Sequence, residues 1–176
     1  MSGITTASIL GLLLSAMPSE LQEPRPTHAV LASDSMDALA LAIVEADTRA
    51  VLDAIAVDAV VTSRVKTSES LVAKAIRKGI SPDAVLDRLA LRVRVHHVAD
   101  CYRIMETLQH RFTVVDHSAD DYIAHPKANG YQSLHAAFQT PVGVVEFQVR
   151  THAMHHDAEQ GAAAHATYKA TQRLAV

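Results

Sequence analysis

Residues 88–96, RLALRVRVH, constrain the fold of this chain more than any other stretch. Leu89, Leu91, Val93 and Val95 alternate with Ala90, Arg92 and Arg94. Successive side chains of a strand point to opposite sides, so a period of two marks a strand with one buried and one polar face. Such a strand needs other strands beside it and apolar helices over its buried face.

The rest of the chain supplies both. Residues 36–56, after the Ser-Asp-Ser of residues 33–35 as a plausible N-cap, carry Met36, Leu39, Ile43, Val44, Val51, Leu52 and Ile55 at helical spacing. Residues 59–66, AVVTSRVK, read as a strand. Residues 68–79, SESLVAKAIRKG, read as a short helix stopped by Gly79. Residues 98–111 predict a helix and residues 112–117, FTVVDH, a strand. Two strands around Pro141-Val142-Gly143 predict a hairpin. A last helix is expected from residue 152 to residue 173, weakened by about 1 kcal/mol at Gly161 but not ended there. Helices interleaved with strands give a mixed sheet in an α+β (mixed α/β) domain.

The chain has 176 residues, enough for one domain with one core. Aromatic residues make up only 4% and Trp is absent, so Ala, Leu, Val and Ile must build that core. Residues 1–57 read as an N-terminal helical segment packed on the domain, and residues 58–176 as its core. The apolar run of residues 8–17, SILGLLLSAM, has no preceding Lys or Arg and is too short to span a bilayer, which favours a packed amphipathic helix. A net charge of -3 gives no reason to expect DNA or a membrane surface as partner. The single Cys101 excludes an internal disulfide and suits a cytoplasmic location. A homo-oligomer is expected, with the apolar first helix and the Ala-rich last helix as candidate interface surfaces.

The chemistry-bearing residues gather at strand ends. Arg64 and Lys66 end the first strand, and Asp87 and Arg92 flank and occupy the second. Lys127, Asn129, Tyr131 and His135 fall within HPKANGYQSLH. Glu146, Gln148 and Arg150 alternate along the last strand and share a face. Lys and Arg neutralise phosphate oxygens, and guanidinium planes and Tyr rings stack on nucleobases. Two carboxylates can hold Mg²⁺, or one can hold it while the other takes a proton from an attacking hydroxyl. The set points to phosphoryl chemistry. Neither GxGxxG nor GxxxxGK[ST] occurs, so the phosphates are not held in the Rossmann or P-loop manner.

The segments VTSRVKTSES, LDRLALRV, DYIAHPKANGYQSLH, VEFQVRT and MHHDAEQGAAAHATYK, in that order, resemble the successive motifs of the RelA/SpoT-homologue synthetase domain, of the small alarmone synthetase type. The resemblance covers residues 59–169. It implies a nucleotidyltransferase-like mixed sheet of about five strands flanked by helices. It also implies a Mg²⁺-dependent transfer of pyrophosphate from ATP to the 3'-hydroxyl of GDP or GTP, with GMP as a further acceptor. Arg64 and Arg92 would sandwich the adenine, and Lys66 and Ser70 would contact the ATP phosphates. Asp87 would hold Mg²⁺, and Glu146 would share the metal or act as base. Tyr131 would stack on guanine, with Lys127, Asn129, His135 and Gln148 lining the acceptor site.

The chain departs from the family pattern in several places. Ser63 stands for a usual Gly, Val72 for an aromatic, Ala136 and Ala137 for a Thr pair, and Ala166 for Trp. These read as packing changes that leave the acids, cations and Tyr131 in place. Asp120 stands where many bifunctional relatives carry Lys, which is nearer to the synthetase-only pattern, though the first position of SADDYIA fits neither; no hydrolase activity is expected. Two rival readings remain. HHDAE, residues 155–159, with His165, invites a metal-hydrolase reading, but a helix-surface pair supplies too few ligands. The alternative to an enzyme is an inactive nucleotide-binding regulatory module of the same fold; intact Asp87, Glu146, Arg64 and Tyr131 speak against it.

Overall fold

The computed structural model describes residues 28–161. The element order is helix α1 (His28–Ala54), strand β1 (Ala59–Val65), helix α2 (Ser68–Lys78), a 3-10 turn (Pro82–Ala84), strand β2 (Leu89–Val95), helix α3 (Val98–Arg111), short strands β3 (Thr113–Val114) and β4 (Asp120–Asp121), strands β5 (Leu134–Thr140) and β6 (Gly143–Thr151), and helix α4 (His152–Gln160).

The expected mixed sheet is present, with six strands among the described residues. Its order is β1-β2-β6-β5-β3, and β4 also pairs with β5. β2 lies antiparallel to β1 and parallel to β6, and β5 and β6 form the hairpin expected around Pro141. Gly143 closes that hairpin at φ +109°, a conformation that favours glycine.

The alternation of residues 89–95 does what its period implies. Leu89, Leu91, Val93 and Val95 are buried against α1 and α3, together with Val145, Phe147 and Val149 of β6 and Leu134, Ala136 and Phe138 of β5. Each fully buried Val, Leu or Phe side chain among them contributes about 1.5–3 kcal/mol. α3 adds Cys101, Ile104, Met105 and Leu108. Burial pushes the Cys101 thiol up to about 12, so it is an inert core residue. α2 stands apart from this core; its Leu71 and Ala75 pack with Val85. Thr67 caps its start, accepting from the Ser70 N–H, and Gly79 ends it at φ +64°.

Four expectations need correction. α1 already runs at His28, so residues 33–35 lie inside the helix and do not cap it. Its buried stripe is Leu41, Val44, Thr48 and Leu52, whereas Met36, Leu39 and Ile43 are 66%, 61% and 59% exposed. Apolar residues occupy two sides of this helix, and periodicity alone does not choose between them. The strand expected over residues 112–117 keeps only Thr113 and Val114. His117 turns at φ +57°, and the Ser118 hydroxyl donates to the Val115 carbonyl and closes the turn. α4 ends at Gln160, because Gly161 leaves the helical region at ψ -161°. Residues 8–17, His165 and Ala166 lie outside the described residues.

Candidate active site

Strand register gathers the site. Thr62, Arg92, Gln148 and His135 stand abreast across β1, β2, β6 and β5 on the face away from the core. The next row is Arg64, Ala90, Glu146 and Ala137. Glu146 is therefore flanked by two Ala residues, which leave room above it. A cavity of about 210 Å³ opens there, lined among others by Lys74, Asp87, Asp120, Ala137 and Glu146. Asp87 reaches this space from the turn before β2, and α2 brings Lys74 over it.

The two acids are held differently. Asp87 Oδ2 accepts from Lys74 Nζ at 2.6 Å and from Lys66 Nζ at 2.9 Å. Burial alone would raise its carboxyl; the hydrogen bonds and charges of the two lysines outweigh burial and hold it below the usual range. Glu146 Oε2 accepts from Gln148 Nε2 at 2.6 Å, and Oε1 lies 3.5 Å from His135 Nδ1. Burial pushes this carboxyl up too, but the bonds from His135 and Gln148 win and lower it, against a smaller push from the Asp87 charge. Both acids are ionised at neutral pH.

A continuous polar chain connects the expected donor and acceptor residues. The Tyr131 hydroxyl lies 2.9 Å from His135 Nε2. A carboxylate only accepts, so His135 Nδ1 carries the proton that faces Glu146, while Nε2 faces the Tyr131 hydroxyl. Gln148 then bridges Glu146 to Arg92, whose Nε donates to Gln148 Oε1 at 3.2 Å. Burial, together with the charges of Arg150 and Arg64, lowers the Arg92 guanidinium, which shows how much positive charge collects here.

Arg64 is exposed at the edge of the polar face. Ser70 lies in the first turn of α2, where its Oγ accepts from Thr67 Oγ1 at 3.0 Å. Asn129 Oδ1 accepts from the Tyr131 N–H at 3.2 Å, and Gly130, at φ +80°, donates to the Lys127 carbonyl at 2.7 Å. Asn129 and Gly130 thus shape the turn that presents Tyr131. Lys127 Nζ sits 5.4 Å from the Tyr131 ring centroid.

Three residues went unassigned in the sequence reading. Lys74 shares Asp87 with Lys66; it lies one helical turn beyond Ser70, so its spacing offered the signal. Arg150, recognised there only as facing the polar side, is 1% exposed and anchored from α4: His155 Nδ1 lies 2.7 Å and Glu159 Oε1 3.1 Å from its Nη2. His155 and Glu159, proposed as metal ligands under the hydrolase reading, thus serve a guanidinium. Tyr122 was not considered; its ring lies under the Lys127 ammonium at 4.1 Å.

The site suits Mg²⁺. Asp87 and Glu146 line one cavity, and Asp87 Oδ1 is buried with no hydrogen-bond partner, an oxygen in need of a cation or donor. Among the described residues no cluster of three or more His, Cys, Asp or Glu forms a complete metal cage. Two carboxylates completed by substrate phosphates and water are what Mg²⁺ takes, and Asp87 with Glu146 would hold it. No helix of the described residues is long and apolar enough to cross a membrane.

Known proteins resemble this chain in sequence and in fold. Residues 63–173 match the family model described as a region found in RelA / SpoT proteins. The GTP pyrophosphokinase of Escherichia coli (strain K12) is 39% identical over 122 residues, covering 69% of this chain and 16% of that protein. The chain therefore spans about one sixth of the length of such curated relatives. Among solved structures, small alarmone synthetase 1 from Bacillus subtilis, bound to its product pppGpp, is 30% identical with a TM-score of 0.64. The likeness covers 76% of this chain and 78% of that one. The same Bacillus protein bound to AMPCPP gives 27% identity and a TM-score of 0.57, covering 76% of each chain. A GTP pyrophosphokinase family protein from Streptococcus pneumoniae gives 26% identity and a TM-score of 0.68, covering 82% of this chain and 80% of that one. Shared fold, shared motif order and a family match over most of the chain lead to one conclusion: this chain belongs to the RelA/SpoT family.

Proposed function

We propose that the chain is an alarmone synthetase that transfers pyrophosphate from ATP to the 3'-hydroxyl of GDP or GTP, with GMP as a further acceptor. The observation that carries this reading is the pairing of Asp87 and Glu146 around one cavity, with Lys66 and Lys74 on one side and the Tyr131–His135–Glu146–Gln148–Arg92 chain on the other. The relatives named above carry the same activity in their names.

In this reaction the acceptor 3'-oxygen forms a bond to the β-phosphorus of ATP. The bond from that phosphorus to the oxygen bridging to the α-phosphorus breaks, and AMP leaves. Arg64 and Arg92, on neighbouring strands of the polar face, hold the adenine between guanidinium planes. Lys66, Lys74 and Ser70 face the triphosphate; the two lysines leave Asp87 for phosphate oxygens. Tyr131 stacks on the acceptor base, and Lys127, Asn129, His135 and Gln148 line its site. Glu146, held ionised, takes the hydroxyl proton or shares the metal with Asp87. Mg²⁺ supplies charge neutralisation of the phosphate oxygens when bound.

We also propose a cytoplasmic location, which the lone Cys101 suits, and a homo-oligomer, which sedimentation checks. The inactive-module alternative gains no support from the site, where Asp87 pairs with Lys66 and Lys74 and Glu146 accepts from Gln148.

The deciding experiment is a transfer assay. The purified chain, Mg²⁺ and γ-labelled ATP are mixed with GMP, GDP or GTP in turn, and the nucleotides are separated. Labelled guanosine product with an equal amount of AMP is expected. A folded chain that makes no product with any acceptor overturns the proposal.

A further inference from the structure

Tyr122 plays no part in the reaction as described, yet it organises the residues that do. Its backbone N–H donates to the Ser133 carbonyl at 3.0 Å, and Gln132 Nε2 donates to the adjacent Ile123 carbonyl at 3.1 Å, so the segment just before β5 fixes its place. Its ring meets the Tyr131 ring edge-on at 6.3 Å and 66°, and the His135 ring at 5.4 Å and 78°. Both are favourable aromatic geometries. Its hydroxyl is engaged with Asp120, and burial with that contact pushes it up to about 12, so the ring stays neutral.

Lys127, by contrast, is exposed, on a flexible four-carbon stem. Its ammonium is 4.1 Å from the Tyr122 centroid and 5.4 Å from the Tyr131 centroid, and the turn from Lys127 to Tyr131 is closed by the Lys127 N–H donating to the Tyr131 carbonyl at 3.1 Å. The nearer ring is the better electrostatic partner, because the ring face attracts a cation most strongly at short range.

We propose that Tyr122 is a positioning residue of the acceptor site: its ring face holds the Lys127 ammonium beside Tyr131, so that an incoming nucleotide meets a placed cation next to its stacking platform. This role rests on the proposed function. A free Lys side chain loses rotamer freedom when it binds, and one already held on a ring loses less. The ligand served is a nucleotide that offers oxygen acceptors to an ammonium while its base lies on Tyr131. The ring contacts of Tyr122 are with Tyr131, His135 and Lys127, all expected acceptor-site residues.

The test is a double-mutant cycle on the full chain, read by calorimetric binding of GDP and, separately, of the ATP analogue AMPCPP. Tyr122→Leu is expected to weaken GDP about 2- to 5-fold, the size of an exposed cation–ring contact, and to leave AMPCPP unchanged. Tyr122→Phe, which keeps the ring, is expected to restore GDP affinity. In a Lys127→Ala background Tyr122→Leu should add nothing. Unchanged GDP affinity in Tyr122→Leu overturns the role, as does an equal loss with and without Lys127. Should Tyr122→Leu not fold, the wild-type chain still decides: Lys127 ε-methylene protons must be shifted upfield by the ring, and unshifted resonances overturn the role. A wild-type chain that binds no guanine nucleotide overturns the proposed function and this role with it, whereas the other outcomes bear on Tyr122 alone.

Discussion

Lys74 Nζ lies 2.6 Å from Asp87 Oδ2, on the same oxygen that Lys66 reaches at 2.9 Å, while Asp87 Oδ1 is buried without a partner. One carboxylate thus ties α2 and the end of β1 to the turn before β2. Asp87→Asn is expected to abolish transfer and to destabilise the fold by about 1.5–3 kcal/mol, the range for hydrogen bonds to charged groups. Lys74→Met should cost less stability, because Lys66 still pairs with Asp87. Urea denaturation compares the two variants; equal stability losses would show that Lys66 does not hold Asp87 by itself.

Glu146 is held ionised by His135 and Gln148 between two Ala neighbours. Glu146→Gln keeps the shape and removes the charge. Turnover should fall at least about 100-fold, as for a lost proton acceptor or metal ligand, with an unchanged circular dichroism spectrum. Turnover within a few-fold of wild type in a folded variant would remove Glu146 from the reaction.

Tyr131 is placed by the Asn129–Gly130 turn and its hydroxyl is bound to His135. Stacking of a base on an aromatic ring is worth about 1–3 kcal/mol. Tyr131→Ala is therefore expected to weaken guanine nucleotides by about 5- to 150-fold and ATP far less. Competition binding with each nucleotide tests this; equal losses for both would place Tyr131 outside the acceptor site.

His155 accepts from Arg150 through Nδ1 at 2.7 Å, which requires the neutral ring. Burial lowers its ionisation, and the charges of Arg150, Arg94 and Arg92 lower it further, against a contrary pull from Glu159. A histidine depressed in the folded state resists a proton that the unfolded chain accepts. Its contribution is complete above its ordinary value of 6.5 and is lost as pH falls below it. Asp87 and Glu146, both lowered from ordinary values of 3.8 and 4.5, are lost only in more acid solution. Between pH 7.5 and 5.5 the melting temperature of the wild-type chain should therefore fall more than that of His155→Gln. Parallel falls would show that the Arg150–His155 contact does not resist protonation.

Local patterns were read directly. The alternation of Leu89, Leu91, Val93 and Val95 with Arg92 and Arg94, that of Glu146, Gln148 and Arg150 along the last strand, the Gly79 stop of α2 and the limits of α3 need only the nearest residues, because burial of one face and helix capping act over two to four positions. Residue types suited to phosphates and bases were legible for the same reason, and the motif order implied the fold. The stripe of α1 that faces the core was not, since Met36, Leu39 and Ile43 are as apolar as Leu41, Val44 and Leu52, and only the sheet beneath the helix chooses between them.

What the sequence determined by itself is the set of elements and the kinds of side chain each one offers to the polar face. What the tertiary structure decided is who meets whom: Lys74 at Asp87, Gln148 between Glu146 and Arg92, Arg150 under His155, and Tyr122 beneath Lys127. Some of these partners stand tens of residues apart, as Gln148 and Arg92 do, and others are close in the chain but on different elements, as Arg150 and His155 are. Gln148 meets Arg92 only when β2 lies parallel to β6 in one register, and Lys74 and His155 reach their partners only when their helices dock beside that sheet. A one-residue slip of that register would turn every one of the strand residues to the other face.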